Sequence, residues 1–277
     1  MNMELGDDRP AILVYCLKLL TFLFLVSTPS LSQAQSEESP QDKGKRIAFK
    51  AEGNFDHYGN YTADIVMQLN KKDGKLISRK MSLKVKENPG EGDRVLMQFH
   101  HPADVKGMAF LIWTHKTQFD DLWIYIPDLR RVKRVSSQTK GSDFMGSEFQ
   151  TEDMIRAEPE KYNYKWLENK PCGELECYLV DRYPKEKSSI YSRQVLWIDQ
   201  ENFRLQQIES YDQQGKLVKT LKFEGYKLYE GKFWRWDFHL LTDHRTGEST
   251  HSNFINWKFN NQLSEKMFTV NGLRNIR

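Results

Sequence analysis

Side chains able to exchange protons, hold a metal or attack a carbonyl are thinly spread in this chain. His100 and His101 are adjacent and His115 follows, but no H-E-x-x-H or comparable carboxylate spacing accompanies them. The acidic pairs Asp120-Asp121 and Glu152-Asp153 fall where turns are expected, and there they read as caps and solvated charges rather than acid–base dyads. A G-x-S-x-G elbow, a glycine-rich phosphate loop and a Cys–His nucleophile pair are all missing from the sequence. Cys172 and Cys177 flank a Pro/Gly turn with C-x4-C spacing, so a hairpin bend can bring their Cβ atoms together. A metal site would want further thiols or a nearby His pair. A structural disulfide, which an exported compartment preserves, is favoured over free thiols. The densest basic run is Arg130-Arg131-Val132-Lys133-Arg134. It could meet anionic lipid head groups, but a solvated sheet edge that resists strand addition is the favoured reading. No catalytic residue, cofactor or metal is expected.

The elements around these residues are strands. Ala63, Ile65, Met67 and Leu69 alternate with Asp64, Gln68 and Asn70, the period-two signature of a half-buried strand. Lys71 to Gly74 turns the chain, and Ile77, Met81, Leu83 and Val85 return on one face. Val95, Met97 and Phe99 follow, then a strand over 107–115 that is apolar on both faces, then a hairpin turning at Asp128-Leu129. The period breaks between Gly141 and Ala157, the chief irregular segment. Hairpins then resume to the end, with Trp234, Trp236, Phe238 and Leu240 alternating against Arg235, Asp237 and His239. The total is about eleven strands joined mostly by tight turns, hence antiparallel. A single sheet of that size curls into a barrel or part-barrel with an apolar concave face. Met67, Met97, Phe99, Met108, Phe110, Trp234, Trp236 and Trp257 belong to that face. They could fill it by packing on themselves or line a hydrophobic cavity, where flexible thioethers suit variable chains.

Composition sets the bounds. With 277 residues the chain could hold one large or two modest domains, and no linker or repeat divides it. Sixteen Phe, 12 Tyr and 7 Trp exclude a disordered protein. A formal charge of +3 argues against a nucleic-acid binder. The single long apolar run, Leu19 to Val26, excludes a polytopic membrane protein. Arg9 and Lys18 precede that run, while Ser32 and Ala34 suit the −3 and −1 positions of a signal-peptidase site. An uncleaved anchor over Ala11 to Val26 would fall short of the roughly 20 residues needed to span. Cys16, preceded by Tyr15 and upstream of the apolar run, makes no lipobox. The reading is a signal peptide over 1–34, a flexible polar leader over 35–47 and one domain over 48–277.

Three segments carry a resemblance: Lys106 to Leu111, Asp120 to Arg134 with its D-D-x-W-x-Y-x-P-x-L-R-R pattern, and Phe144 to Phe149 followed by Glu152 to Met154. In this order and spacing the chain resembles the LolA-like outer-membrane lipoprotein-sorting proteins, in the branch often encoded beside large export pumps. The resemblance implies a mainly β fold: one large antiparallel sheet curled into an incomplete barrel, its concave face lidded by short helices or loops. It also implies a periplasmic carrier that binds acyl chains of lipoproteins or other lipids and shuttles them toward the outer membrane. Its partners would be an inner-membrane transporter and an outer-membrane acceptor, with only transient membrane contact. The cavity set then extends to Met81, Trp123, Tyr125, Phe144 and Met145, with the 144–154 segment as lid or rim. Arg79, which interrupts an apolar face, is the candidate polar group of the cavity. The rival reading is an accessory subunit of an RND-type export pump with no cargo of its own.

Overall fold

The computed structural model describes residues 38–54, 57–136 and 140–276. The signal peptide expected over 1–34 lies outside them.

Among the described residues thirteen antiparallel strands make one open sheet. β1 (Asn60–Asn70), β2 (Leu76–Lys86), β3 (Arg94–His101), β4 (Ala109–Trp113), β5 (Asp121–Ile126) and β6 (Arg131–Val135) meander from the middle to one edge. β7 (Tyr162–Cys172), β8 (Leu175–Pro184), β9 (Arg193–Asp199), β10 (Leu205–Tyr211) and β11 (Leu217–Glu224) run back from the opposite edge. After a separate hairpin of β12 (Lys227–Tyr229) and β13 (Phe233–Arg235), β14 (Phe238–Asp243) and β15 (Ser249–Phe259) join the halves, β15 pairing with β1. The edges β6 and β7 do not meet, so the barrel is incomplete. The basic run 130–134 supplies edge strand β6, whose Arg131, Lys133 and Arg134 are exposed. Such charges discourage pairing with another chain. Cys172 and Cys177 are disulfide-bonded across the β7–β8 turn, their Cα atoms 5.8 Å apart.

The strand count exceeds the expected eleven, partly because the alternating run 234–240 is not one strand. It breaks at Asp237, whose carboxylate accepts from the Tyr229 hydroxyl at 2.8 Å and whose amide donates to the Glu224 carbonyl at 3.1 Å. Trp234 therefore sits in the separate hairpin, beneath the Arg204 guanidinium at 4.6 Å, while Trp236 falls in the break between β13 and β14 and packs against the concave cluster. Alternation survives such a corner, which is why the pattern alone could not locate it.

Concave and convex faces bury different sets. Ile65, Met67, Met81, Met97, Phe99, Phe110 and Ile112 belong to the largest core cluster, on the inside of the curl. On the outside, Leu96, Ala109 and Leu111 are covered by Phe268 and by Leu273 of α2 (Val270–Arg274). β4 is thus apolar on both faces because both are covered. Among the described residues no helix is long and apolar enough to cross a membrane.

The leader differs from its expected form. From Pro40 it is helical: α1 (Pro40–Gly53) begins with Ser39 as N-cap, its hydroxyl accepting from the Asp42 amide at 3.1 Å, and Pro40 takes the first helical position. Gly44, Ile47, Ala48 and Ala51 make the buried stripe, at i, i+3, i+4 and i+7. Only one of the four is a large apolar residue, so hydropathy missed what spacing contains. The small residues are there for close approach: a Cβ on Gly44 would stand 2.4 Å from the Trp166 backbone nitrogen in β7. Lys43 lies over the Trp166 ring at 3.4 Å, pinning the same contact from outside.

Gly44→Ala, which would favour an exposed helix by about 0.5–1 kcal/mol, is therefore expected to destabilise this protein by about 1–3 kcal/mol. Thermal or urea unfolding reads the sign. An unchanged or higher midpoint would mean that α1 is not seated on β7 in this way.

Candidate functional site

Curling brings the apolar faces of β1–β3 toward those of β8–β11, β14 and β15, and residues 149–157 cross the space between. What they leave is a cavity of about 290 Å³, at the lower end of the roughly 300–1,000 Å³ of ligand pockets. Its apolar wall includes Ile65, Met67, Met81, Leu83, Val85 and Met97 from β1–β3, faced by Leu221, Phe223, Trp236 and Phe254. The crossing segment contributes Phe149, Met154 and Ile155.

The crossing segment is held down by charge. Glu148 accepts from Lys71 Nζ at 2.6 Å, and its amide donates to the Thr250 hydroxyl at 3.1 Å. Glu152 accepts from the Ser189 hydroxyl at 2.6 Å and the Ile190 amide at 2.8 Å. Asp153 accepts from Lys219 Nζ at 2.8 Å and the Tyr191 hydroxyl at 2.7 Å. Arg156 donates to Asp93 at 2.8 Å, and Thr114 to Glu158 at 2.7 Å. Burial raises the carboxyl pKa of Glu148, Glu152 and Glu158, the expected consequence of removing a charge from water. A buried pair broken on one side leaves its partner uncompensated at several kcal/mol. Each tether therefore resists being opened alone.

Of the residues singled out in the sequence, Met67, Met81, Met97 and Trp236 line the cavity. Phe99, Met108, Phe110, Phe144, Met145 and Trp257 belong to the same apolar cluster without lining the cavity. Phe99, Phe110 and Phe144 close on one another with ring centroids 4.9 to 6.2 Å apart, a filled plug at one end of the curl. Trp123 and Tyr125 point to the other side. In β5 it is Leu122 and Ile124 that reach the concave cluster, so the intervening residues pack on the outside with Trp113 and the C-terminal segment. A one-residue error in choosing the inward set reverses a whole strand. Arg79 is on the concave side but away from the cavity: Nε donates to the Met145 carbonyl at 3.3 Å and Nη1 to Asp104 at 3.3 Å, clasping the 144–149 loop.

Sequence reasoning missed the polar part of the wall. Arg182, Gln194, Ser210, Lys219 and His239 also line the cavity. They sit at inward positions of their strands, so alternation carries the signal once the apolar neighbours fix the face. His239 stacks on Trp236 with centroids 4.9 Å apart and meets Phe223 at 4.8 Å and Phe254 at 4.7 Å. Its Nε2 is buried without a partner among the described residues. Enclosure by these rings lowers its pKa from 6.5 to about 3, so the imidazole is neutral. Among the described residues, no three His, Cys, Asp or Glu side chains converge as a metal site.

A family model described as that of an uncharacterized protein matches residues 91–275. A domain from Vibrio parahaemolyticus, described as an outer membrane lipoprotein-sorting protein, is 38% identical with a TM-score of 0.82, covering 84% of this chain and 99% of that one. A DUF1329 family protein from Desulfovibrio piger is 28% identical with a TM-score of 0.81, over 85% and 100%. A LolA superfamily protein from Nitrosomonas europaea is 21% identical with a TM-score of 0.66, over 82% and 97%, and shares the fold. A search of curated proteins gives no match.

His239 makes stability depend on pH in a defined direction. Its folded pKa of about 3 lies below the unfolded value of 6.5, so the unfolded chain takes up a proton first as pH falls. Its contribution is complete above about pH 6.5 and is lost toward pH 3, by about 1.4 kcal/mol per unit. His239→Phe keeps a ring in the aromatic cage and removes the titration. Between about pH 6 and pH 4 the wild type should lose that much more stability per unit than the variant in urea unfolding. Parallel curves would remove His239 as the titrating group.

Proposed function

The chain belongs to the family of outer membrane lipoprotein-sorting proteins with the LolA-like fold, and from that premise we propose that it is an exported periplasmic carrier. It works by reversible burial of acyl chains in the concave cavity, with no chemistry on the cargo. The observation that carries this reading is the cavity itself, walled by Met67, Met81 and Met97 and roofed by Phe149, Met154 and Ile155. Thioethers, and a roof held by side-chain tethers at intervals rather than by a strand ladder, suit a ligand of variable shape.

Residues 1–34 serve as the export signal in this reading. The folded unit takes in α1 as well as the sheet, so it begins near residue 40 rather than 48. Burial of a chain contributes about 0.8 kcal/mol per methylene, so a long chain would leave into water slowly. Loading and unloading therefore call for partners that reshape or compete for the cavity: a donor at the inner membrane and an acceptor at the outer membrane. Nucleic acid has no place in this scheme, and membrane contact is transient.

Native mass spectrometry of the mature protein purified from a periplasm, with lipid analysis of its organic extract, tests the reading. The expected result is a bound lipid or acylated peptide. Met81→Trp, which fills space at the cavity wall instead of removing packing, should abolish most of that load while the protein stays folded by circular dichroism. A clean unliganded mass, with no uptake of added fatty acid or diacylated peptide, would overturn the carrier and favour the pump-accessory role.

A further inference from the structure

Four polar residues cross the β8–β11 wall of the cavity in register. Arg182 is opposite Gln194, Gln194 opposite Ser210, and Ser210 opposite Lys219. All four line the cavity and none is more than 7% exposed. Buried polar groups need partners, and in three of the four the end of the side chain has one. Lys219 is held by Asp153 at 2.8 Å and Gln150 at 3.0 Å. Gln194 donates to the Ser210 hydroxyl at 2.9 Å.

Arg182 is different. Nε donates to the Gln194 carbonyl oxygen at 2.8 Å, and the guanidinium lies 4.8 Å from the Tyr162 ring centroid. Its terminal nitrogens have no acceptor among the described residues and no carboxylate there pairs with it, so they open onto the cavity that Arg182 lines. The acids whose charge reaches the neighbouring Tyr162 are Glu152, Asp120 and Glu52, and each has its own partner. Glu152 is bonded to Ser189 and Ile190, Asp120 to Lys161 at 2.5 Å, and Glu52 lies 3.6 Å from Arg156.

A guanidinium cannot escape burial by losing its proton. An uncompensated buried charge is strongly unfavourable, whereas one met by a complementary anion is not. The planar fork matches a carboxylate or phosphate in two parallel hydrogen bonds. We infer that Arg182 receives the anionic head group, carboxylate or phosphate, of a single-chain amphiphile whose tail lies against Met67, Met81 and Met97. The inference rests on the carrier reading and narrows its cargo. One chain rather than several follows from a volume of about 290 Å³. A chain held only by ester or amide linkages would leave Arg182 unmet.

Calorimetric titration of the mature protein with palmitate, hexadecanol and a lysophosphatidate of the same chain length tests it. Palmitate or the lysophosphatidate should bind at least about tenfold more tightly than hexadecanol, and whichever does so identifies the source of the anion. Arg182→Met should erase that preference and leave hexadecanol affinity unchanged. Circular dichroism and the melting temperature check that the variant is folded, since the buried Gln194 carbonyl oxygen loses its donor. Arg182→Lys, which keeps charge but not the fork, should retain part of the preference. Equal binding of palmitate and hexadecanol, or a preference that survives in Arg182→Met, would overturn the head-group assignment alone. Failure of all three to bind would overturn the single-chain cargo, and failure of a diacylated peptide as well would overturn the carrier reading with it.

Discussion

A sheet that curls without closing cannot bury its concave face on itself, and the rest of this structure is an answer to that constraint. Thirteen strands present two apolar half-walls. The plug of Phe99, Phe110 and Phe144 fills one end of the curl. Elsewhere a segment without regular strand structure covers the gap, bringing Phe149, Met154 and Ile155 to the inside. Because that segment cannot satisfy its backbone in a ladder, its position is fixed by side chains at intervals: Glu148, Glu152, Asp153, Arg156 and Glu158 each find a partner on the sheet or its rim. The apolar residues between them need not pack to crystalline density, and a cavity remains.

Charge has two roles inside the curl. Lys219 and Asp153 form a closed pair, with Tyr191 and Gln150 completing their hydrogen bonds. That pair joins the roof to β11. Arg182, three strands away in the same cross-strand row, has the geometry of a pair with one half supplied from outside the protein. The contrast separates a cation that serves the fold from one that serves a ligand, although both are equally inward and nearly equally buried. His239 belongs to neither class. It is a neutral ring among rings, tuned by exclusion of water, and is a cost to stability only in acid.

Much of this was legible in order along the chain. Period-two alternation gave the strands and their tight turns, and β6 was recognisable as an edge from its run of Arg and Lys. The break in alternation after Gly141 marked the roof, and the C-x4-C spacing marked the bonded hairpin. Alternation says that two faces exist and not which is inner, so Trp123 and Tyr125 were placed inside when Leu122 and Ile124 take those positions. It passes unchanged through the corner at Asp237, so Trp234 looked equivalent to Trp236. The stripe of α1 was present in its spacing and hidden by its size, since Gly44, Ala48 and Ala51 weigh little in any hydropathy reading.

The sequence by itself determined the antiparallel, one-sided sheet, its basic edge and the place where regular pairing fails, because each follows from neighbours two to four residues apart. Only the tertiary structure decided which apolar residues line space and which fill it, and that Arg79 clasps a loop while Arg182 faces a cavity. Those outcomes depend on the register between strands and on how far the sheet curls. They are sums over contacts between residues distant in the chain, and no local pattern records them.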